Sequence, residues 1–364
     1  MRIAILGSRG IPARYAGFET CAEELSKRLA ERGHEVTVYC CRPYSITKER
    51  YINGVRRIIV PTIRGKHLEK LLFSIICLIH VAVTRNEVIL MLGLNIPVLF
   101  ILPRMFGKKI AVNVDGLEWK RKKWGRFASR YLLFCEKVAG YFSHQIITDA
   151  RCIQSYYLKT YRMESTFIPY GTEVAIIPPG DTLKKYGLKK DDYILYVSRF
   201  SPENNPLLVR EAFEEIKKQT KKIVLVGDSP FDEEYIRKVR DTQNPNIIFT
   251  GTVYGEGYKE LLSNAYFYIQ ATEVGGTHPA LVEALGYGNF VLANDVAEHR
   301  EVLRDAGMYY RGKKDLIDKM QFLLDNPHVV LEGRVKSQKI VKEDYSWETV
   351  SDSYEKLFEK MIND

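Results

Sequence analysis

Four glycine-bearing or charge-bearing segments, each placed directly after a short apolar run, hold the residues whose types and spacing suit chemistry. GSRGIPARYAGFET, Gly7 to Thr20, carries glycines at 7, 10 and 17, and Gly17 falls where a helix begins, so its amides can face an anion. Arg9 and Arg14 add positive charge to that loop, which suits a phosphate; the same glycines also suit a plain turn between strand and helix. A dinucleotide-binding loop is disfavoured, because the spacing is G-x-x-G and the next strand ends in Cys40, Cys41 and Arg42 without a ribose-binding acid. VSRFSPENNP, Val197 to Pro206, places Arg199 at a strand's carboxyl end, where a guanidinium can clamp a pyrophosphate through paired hydrogen bonds. On spacing alone Arg199 is equally a surface charge. Pro206 after Asn205 marks a helix start. EVGGTHPALVEALGYGN, Glu273 to Asn289, has Gly275 and Gly276 for a tight turn and a helix after His278, with amides from Thr277 onward free for a diphosphate. Glu283 lies in that helix, where a single acid is ordinarily solvent-exposed.

The fourth segment is NVDGLEWKRKKWGR, Asn113 to Arg126, where Asp115 and Glu118 precede a crowd of basic residues around Trp119, Arg121 and Trp124. Tryptophan beside cations suits sugar stacking, or a phosphate-bearing acceptor at a membrane surface; an exposed solvated loop is the competing reading. No carboxylate cluster with metal-ligand spacing occurs, so no metal or other cofactor is expected.

Strands must hold these loops. Val- and Ile-rich runs alternate with longer amphipathic stretches, the pattern of parallel strands joined by crossover helices, and the pattern occurs twice. Strands are predicted at 2–6, 35–40, 55–60, 88–92, 110–114, 145–148 and 166–168, then at 193–197, 223–226, 247–250, 266–270 and 290–293. The 18–32 segment is predicted helical, with Cys21, Ala22, Leu25 and Leu29 on one face. The fold class is therefore α/β, with two doubly wound parallel-sheet domains and a turn-rich connection, Pro169 to Gly180, between them. Open parallel sheets bind ligands beyond their carboxyl ends, which predicts a cleft between the two domains and hinge closure near Gly171.

The 364 residues are 46% hydrophobic and 27% charged, which excludes a disordered or collagen-like chain. The net charge of +9 is uneven: residues 1–170 hold 28 Lys and Arg against 13 Asp and Glu, and the remainder 26 against 32. A basic half expects an anionic partner, phosphate or anionic lipid, while the acidic half argues against a nucleic-acid coat. Six cysteines without C-x-x-C spacing form no disulfide framework, and no apolar leader follows Met1, so a cytoplasmic chain with reduced thiols is expected. The apolar stretches 71–83 and 88–102 are interrupted and too short to span a bilayer; they are read as packed core or monotopic membrane contact.

These loops, in this order and with these separations, resemble the retaining GT-B glycosyltransferases of glycosyltransferase family 4 over essentially the whole chain. IPYG at 168–171, LVGD at 225–228, IFTG at 248–251 and NDVAEHREVLRDAG at 294–307 are similar to that family too. DYSWETVSDSYEKLFEKM, 344–361, resembles its C-terminal helix, which crosses back onto the first domain. More narrowly, GSRGIPARYAGFET, DGLEWKRKKW and VGGTHPALVEA resemble bacterial rhamnosyltransferases that build capsule, cell-wall or lipopolysaccharide chains.

The resemblance implies an acceptor-binding domain over 1–170, a donor-binding domain over 171–345 and a returning helix over 346–364. It implies a nucleoside diphosphate sugar gripped by Arg199, by amides around Gly276 to His278 and by Gly17, with Glu283 on the ribose and the Gly251 to Tyr254 loop on the base. Asn204, Gly227, Gly275 and Thr277 complete the donor set, while Arg9, Arg14, Glu118, Trp119 and Arg121 face the acceptor. Asp115 is a positioning or proton-accepting candidate. Gly275 stands where the family has an acid, Asn204 where it has a lysine, and Ala16 where a glycine is frequent, which marks a changed donor pocket. The implied reaction moves L-rhamnose from dTDP-rhamnose to a lipid-linked glycan, without a metal and with retention, at the inner face of the cytoplasmic membrane. A UDP-hexose donor and a catalytically silent nucleotide- or glycan-binding partner subunit are the alternatives; a GT-B epimerase would need more cleft carboxylates and histidines.

Overall fold

Continuous Val, Ile and Leu runs become strands because both faces of each are covered by helices. A computed structural model of the chain describes residues 1–13, 17–45, 47–62, 68–121, 124–229 and 233–364, with the side chain of Leu68 set aside. It divides into two compact units, Met1–Tyr170 with Trp347–Asp364, and Gly171–Ser346.

The first unit holds β1 (Arg2–Leu6), β2 (Glu35–Cys41), β3 (Tyr51–Ile52), β4 (Val55–Val60), β5 (Val88–Leu92), β6 (Lys109–Asn113), β7 (Gln145–Thr148) and β8 (Thr166–Phe167). Their order is β3-β4-β2-β1-β5-β6-β7-β8, parallel except for the β3–β4 hairpin. Alternation along β1 sends Ile3 and Ile5 into one core with Leu25 and Leu29, and Ala4 and Leu6 into a second core with Phe73 and Leu78.

The second unit holds β9 (Tyr193–Val197), β10 (Lys222–Val226), β11 (Ile247–Gly251), β12 (Phe267–Gln270), β13 (Val291–Asn294) and β14 (Gly307–Tyr310), in the order β11-β10-β9-β12-β13-β14. All its neighbours are parallel. In both sheets the chain starts in the middle, winds one way, then returns to the other side of the first strand. The order therefore reverses at β1/β5 and at β9/β12, and those two crevices, outside the carboxyl ends, are where such sheets accept ligands.

Helix Trp347–Asn363 belongs to the first unit: Trp347, Val350, Tyr354, Leu357, Phe358 and Met361, spaced by three and four, pack into the core that contains Ile3 and Leu25. Its outer acids pair with the residue that follows helix Gly17–Glu31, Arg32 reaching Glu348 at 2.9 Å, Asp352 at 2.7 Å and Glu355 at 2.7 Å. The buried Tyr354 hydroxyl accepts from Asn113 Nδ2 at 3.1 Å, which ties this helix to the end of β6.

Two strands, β3 and β14, escape the sequence pattern, and several strand limits move by a residue or two. The C-terminal helix begins at Trp347, because Val341–Tyr345 is a separate π-helical turn that buries Val341 and Tyr345 in the second unit.

Candidate functional site

Around β9/β12 the second unit builds a braced, largely backbone-lined crevice. Beyond β9, Arg199 projects into solvent, and its guanidinium has no hydrogen-bond or ion-pair partner among the described residues. The backbone beneath it is held firmly. The Arg199 carbonyl accepts from Asn204 Nδ2 at 2.8 Å, from Ser198 Oγ at 2.9 Å and from the Ser201 amide at 2.8 Å. The buried Tyr196 hydroxyl donates to the Asn204 carbonyl at 2.6 Å. Asn204, read from the sequence as a donor-binding residue, thus braces the turn that presents Arg199. Asn205 adopts the left-handed conformation (φ 58°) and caps the helix Pro206–Glu214. Its side chain donates to the Ala271 carbonyl at 2.9 Å and to Glu273 Oε1 at 3.1 Å, while the Glu273 amide donates to the Glu203 carbonyl at 3.0 Å. Those bonds fasten the loop after β9 to the loop after β12.

The second loop leads through Gly275, Gly276, buried Thr277 and His278 into the helix Pro279–Gly286. Pro279 has no N–H, and the amides of Leu281 and Val282 already donate to the His278 carbonyl at 3.0 and 3.2 Å. Backbone donors left for an anion are consequently those of Gly275, Gly276 and Ala280, which bond to no other described group. A Cβ on Gly275 would lie 2.2 Å from the His278 ring, so the imidazole occupies the space a side chain there would need. His278 in turn packs against His299, with ring centroids 5.1 Å apart. His299 is wholly buried and donates through Nδ1 to the Asn294 carbonyl at 2.8 Å; burial pulls its pKa down to about 4, so it is neutral at physiological pH.

Further along, Glu283 Oε2 accepts from the Tyr258 hydroxyl at 2.7 Å. Burial, with the Glu283 charge adding to it, holds Tyr258 well above the ordinary tyrosine range, so it remains a donor. Glu283 is half-buried and oriented, unlike the solvated acid that helical spacing alone suggests. Gly227 (φ 144°) follows β10 with a would-be Cβ only 1.8 Å from the Ser198 carbonyl, and its amide donates to the Gly251 carbonyl at 2.9 Å. Gly251 (φ 68°) has open space around it, and Tyr254 is exposed at the start of the helix Gly255–Asn264.

In the first unit the β1/β5 crevice is lined by Gly7 (φ 95°), whose Cβ would fall 2.1 Å from the Leu92 carbonyl, and by the start of helix Gly17–Glu31. Buried Glu19 accepts from the Arg9 amide at 2.9 Å. The Arg9 guanidinium lies over the Tyr44 ring at 4.1 Å and faces buried Glu69 at 3.7 Å, with the Tyr44 hydroxyl donating to the same carboxylate at 3.1 Å. Arg9 therefore braces this loop; Arg14 and Ala16 lie outside the described residues.

Asp115 follows β6 in the left-handed conformation (φ 57°), its amide bonded to Asn113 Oδ1 at 3.0 Å. Behind it sit Asp149, Tyr170, Tyr354 and Cys21, all buried. Burial, reinforced by Asp149 and Asp115, pushes the Cys21 thiol up to about 12. Glu118 pairs with Arg121 at 2.7 Å and accepts from Trp124 Nε1 at 3.1 Å. Trp119 packs against the core rather than standing free as a sugar platform. Among the described residues, no group of three His, Cys, Asp or Glu side chains gathers to hold a metal ion.

Sequence reading missed Glu69, Asp149, Tyr258 and His299. Tyr258 lies four residues beyond Tyr254 on one helix and could have been found from that spacing. Nothing local marks Glu69, sixty residues from Arg9.

Residues 1–173 match the family model of a domain of unknown function, DUF1972, and residues 191–326 match that of glycosyl transferases group 1. No curated protein sequence matches significantly. Among solved structures, sucrose-phosphate synthase from Thermosynechococcus elongatus superposes with a TM-score of 0.81 at 18% identity, over 100% of this chain and 99% of that one. Anabaena Alr3699/HepE in complex with UDP gives 0.77 at 13%, over 99% and 100%. The pneumococcal O-GlcNAc transferase GtfA, in complex with UDP and GlcNAc, gives 0.63 at 15%, over 81% and 61%. The likeness is one of fold, two parallel-sheet α/β domains of the GT-B class.

Proposed function

From a chain of GT-B fold whose residues 191–326 match the family model of glycosyl transferases group 1, we propose a glycosyltransferase that takes a sugar from a nucleoside diphosphate bound at β9/β12 and passes it to a glycan held by the first unit. The observation that carries this reading is Arg199: an exposed guanidinium without a described partner, on a rigidly braced turn, beside a loop offering unused amides. Breaking the glycosidic bond leaves negative charge on the departing diphosphate, and a preorganised cation with fixed dipoles lowers that barrier without reorganising. No metal ion or other cofactor is required, because Arg199 and the amides of Gly275, Gly276 and Ala280 supply the positive potential. Glu283, oriented by Tyr258, accepts from the ribose hydroxyls, and the Gly251 to Tyr254 loop lies against the base. Thr277 and His278 shape the wall next to the sugar. In the first unit, Asp115, Glu118, Trp119 and Arg121 border the acceptor, with Asp115 positioning it or accepting its proton. Transfer proceeds with retention by front-face attack.

The preferred donor is dTDP-L-rhamnose and the preferred acceptor a lipid-linked glycan at the inner membrane face. A 6-deoxy sugar presents a methyl where glucose presents a hydroxyl, and a pocket with Gly275 and the His278 ring in place of an acid suits that change. A UDP-hexose donor is the second reading, favoured by the fold neighbour from Anabaena solved with UDP-glucose.

Thermal melts with dTDP, UDP and GDP test the reading. At a hundredfold excess over Kd the bound nucleotide adds about 2.7 kcal/mol, a rise of roughly 5 to 10 °C for a domain of this size. The larger shift is expected with dTDP, together with sugar release or transfer from dTDP-rhamnose seen by mass spectrometry. A larger UDP shift moves the assignment to the second reading; no shift and no turnover with any donor overturns both.

A further inference from the structure

Helix Arg126–Phe142 turns its acid inward and its aromatics outward. Glu136 is buried, where Tyr156 and Tyr161 donate to it at 3.0 and 2.9 Å, and burial raises its carboxyl pKa. Facing solvent at three- and four-residue steps are Phe127, 90% exposed, with Tyr131, Phe134 and Tyr141. Between them stand exposed Arg130 and Lys137, and no acid of this helix joins that stripe. The face continues beyond the helix. Arg104 donates to the Tyr141 carbonyl at 3.3 Å and brings Met105, 76% exposed, and exposed Phe106 alongside. The helix Leu68–Ala82 packs on the same Ile101–Met105 segment and leaves Ile79 and, just past its end, Val83 exposed. Apolar surface on this scale marks an interaction site rather than a solvated face.

We propose that this face of the first unit docks on an anionic lipid bilayer. Aromatic rings flanked by Arg and Lys are the composition of an interfacial helix, which sinks its rings to the headgroup boundary while the cations meet lipid phosphates. A second copy of the chain is the poorer occupant, because a two-fold contact would set Arg130 and Lys137 against their own equivalents. Single-stranded nucleic acid would stack on the rings and leave Met105, Ile79 and Val83 exposed. The contact lies on the surface of the bilayer: no described helix is long and apolar enough to cross a membrane. It deepens the membrane-face placement of the acceptor in the proposed function by naming the surface that makes the contact, and it is argued from this surface alone. It also brings Trp119 and its neighbours Glu118 and Arg121 near the membrane, since Ser129 Oγ on this helix donates to the Trp119 carbonyl at 3.3 Å.

Flotation of the full chain with vesicles of phosphatidylglycerol and phosphatidylcholine, and of phosphatidylcholine alone, tests the proposal. Binding to the anionic vesicles, weakened by salt, is expected. Arg130→Gln with Lys137→Gln should lower the partition coefficient about thirtyfold, at about a factor of five per cation. Phe127→Gln with Phe134→Gln should lower it roughly twentyfold. Both variants should melt as the wild type does and keep its nucleotide-induced shift. Absent binding, or binding that neither variant weakens, overturns the proposal. So does a wild-type dimer that the phenylalanine variant dissolves while vesicles are ignored. A retained nucleotide shift without vesicle binding leaves the donor reading standing; vesicle binding without the shift does the reverse.

Discussion

Replacing Arg199 by alanine should slow transfer by roughly two orders of magnitude, comparable with losing one oxyanion donor, while the melting temperature stays put. The two halves of that expectation have different causes. The guanidinium is exposed and has no partner among the described residues, so its removal leaves nothing buried unsatisfied, and the stability change should stay within about 0.5 kcal/mol. Charge on the leaving diphosphate is greater in the transition state than in the bound donor, so kcat should fall more than donor affinity. Arg199→Lys should recover part of the rate, since an ammonium supplies the charge but not the planar two-pronged geometry. Rates are to be measured on purified protein with saturating donor. An unchanged rate removes Arg199 from the mechanism, and a collapsed melting temperature would make it a structural residue.

Gly227→Ala should damage the second unit through space rather than chemistry. A methyl there would sit 1.8 Å from the Ser198 carbonyl and 3.1 Å from Phe200, at a φ of 144° that L residues rarely adopt. Neither obstacle is the tip of a flexible chain, so the turn carrying Ser198 and Arg199 must move. A loss of about 3 to 5 kcal/mol is expected, lowering the melting temperature by about 10 °C and abolishing the nucleotide shift. Gly251→Ala is the matched control: its φ of 68° is also left-handed, yet nothing lies within 4 Å of the added methyl. It should cost only about 1 to 2 kcal/mol. Equal losses in the two variants would show that backbone conformation, and not the close approach to Ser198, governs the effect.

Much of the fold is legible in the sequence because burying both faces of a parallel strand leaves an unbroken apolar run, and β1, β5, β9 and β10 all carry one. The strand β14, Gly307–Tyr310, is missed because its burial is mostly partial and its Gly-Met-Tyr-Tyr composition has no such run. β3 has only two residues and exists as the partner of β4. At the site, the loops are readable and the bracing is not. Arg199 and the Gly275–Gly276 turn follow from strand ends and glycine placement. That Asn204 turns back to the Arg199 carbonyl, or that Asn205 links two loops 66 residues apart, depends on the neighbouring positions of β9 and β12 in the sheet. The same limit hides the Asn113–Tyr354 bond, formed between residues 241 apart. After Asp115, Glu118 pairs with Arg121 and accepts from Trp124, contacts that a charge run alone does not reveal, and a second exposed aromatic and basic surface lies one helix later, on Arg126–Phe142.

The central claim is that a nucleoside diphosphate lodges at the β9/β12 crevice of the second unit, held by one cation and by backbone N–H groups. A crystal of the protein grown with dTDP or UDP tests it most directly. Phosphate oxygens are expected within hydrogen-bonding distance of the Arg199 guanidinium and of the amides at Gly275, Gly276 and Ala280, with the ribose against Glu283. A nucleotide bound instead in the Gly7 to Gly17 loop of the first unit, or away from both crevices, would contradict it.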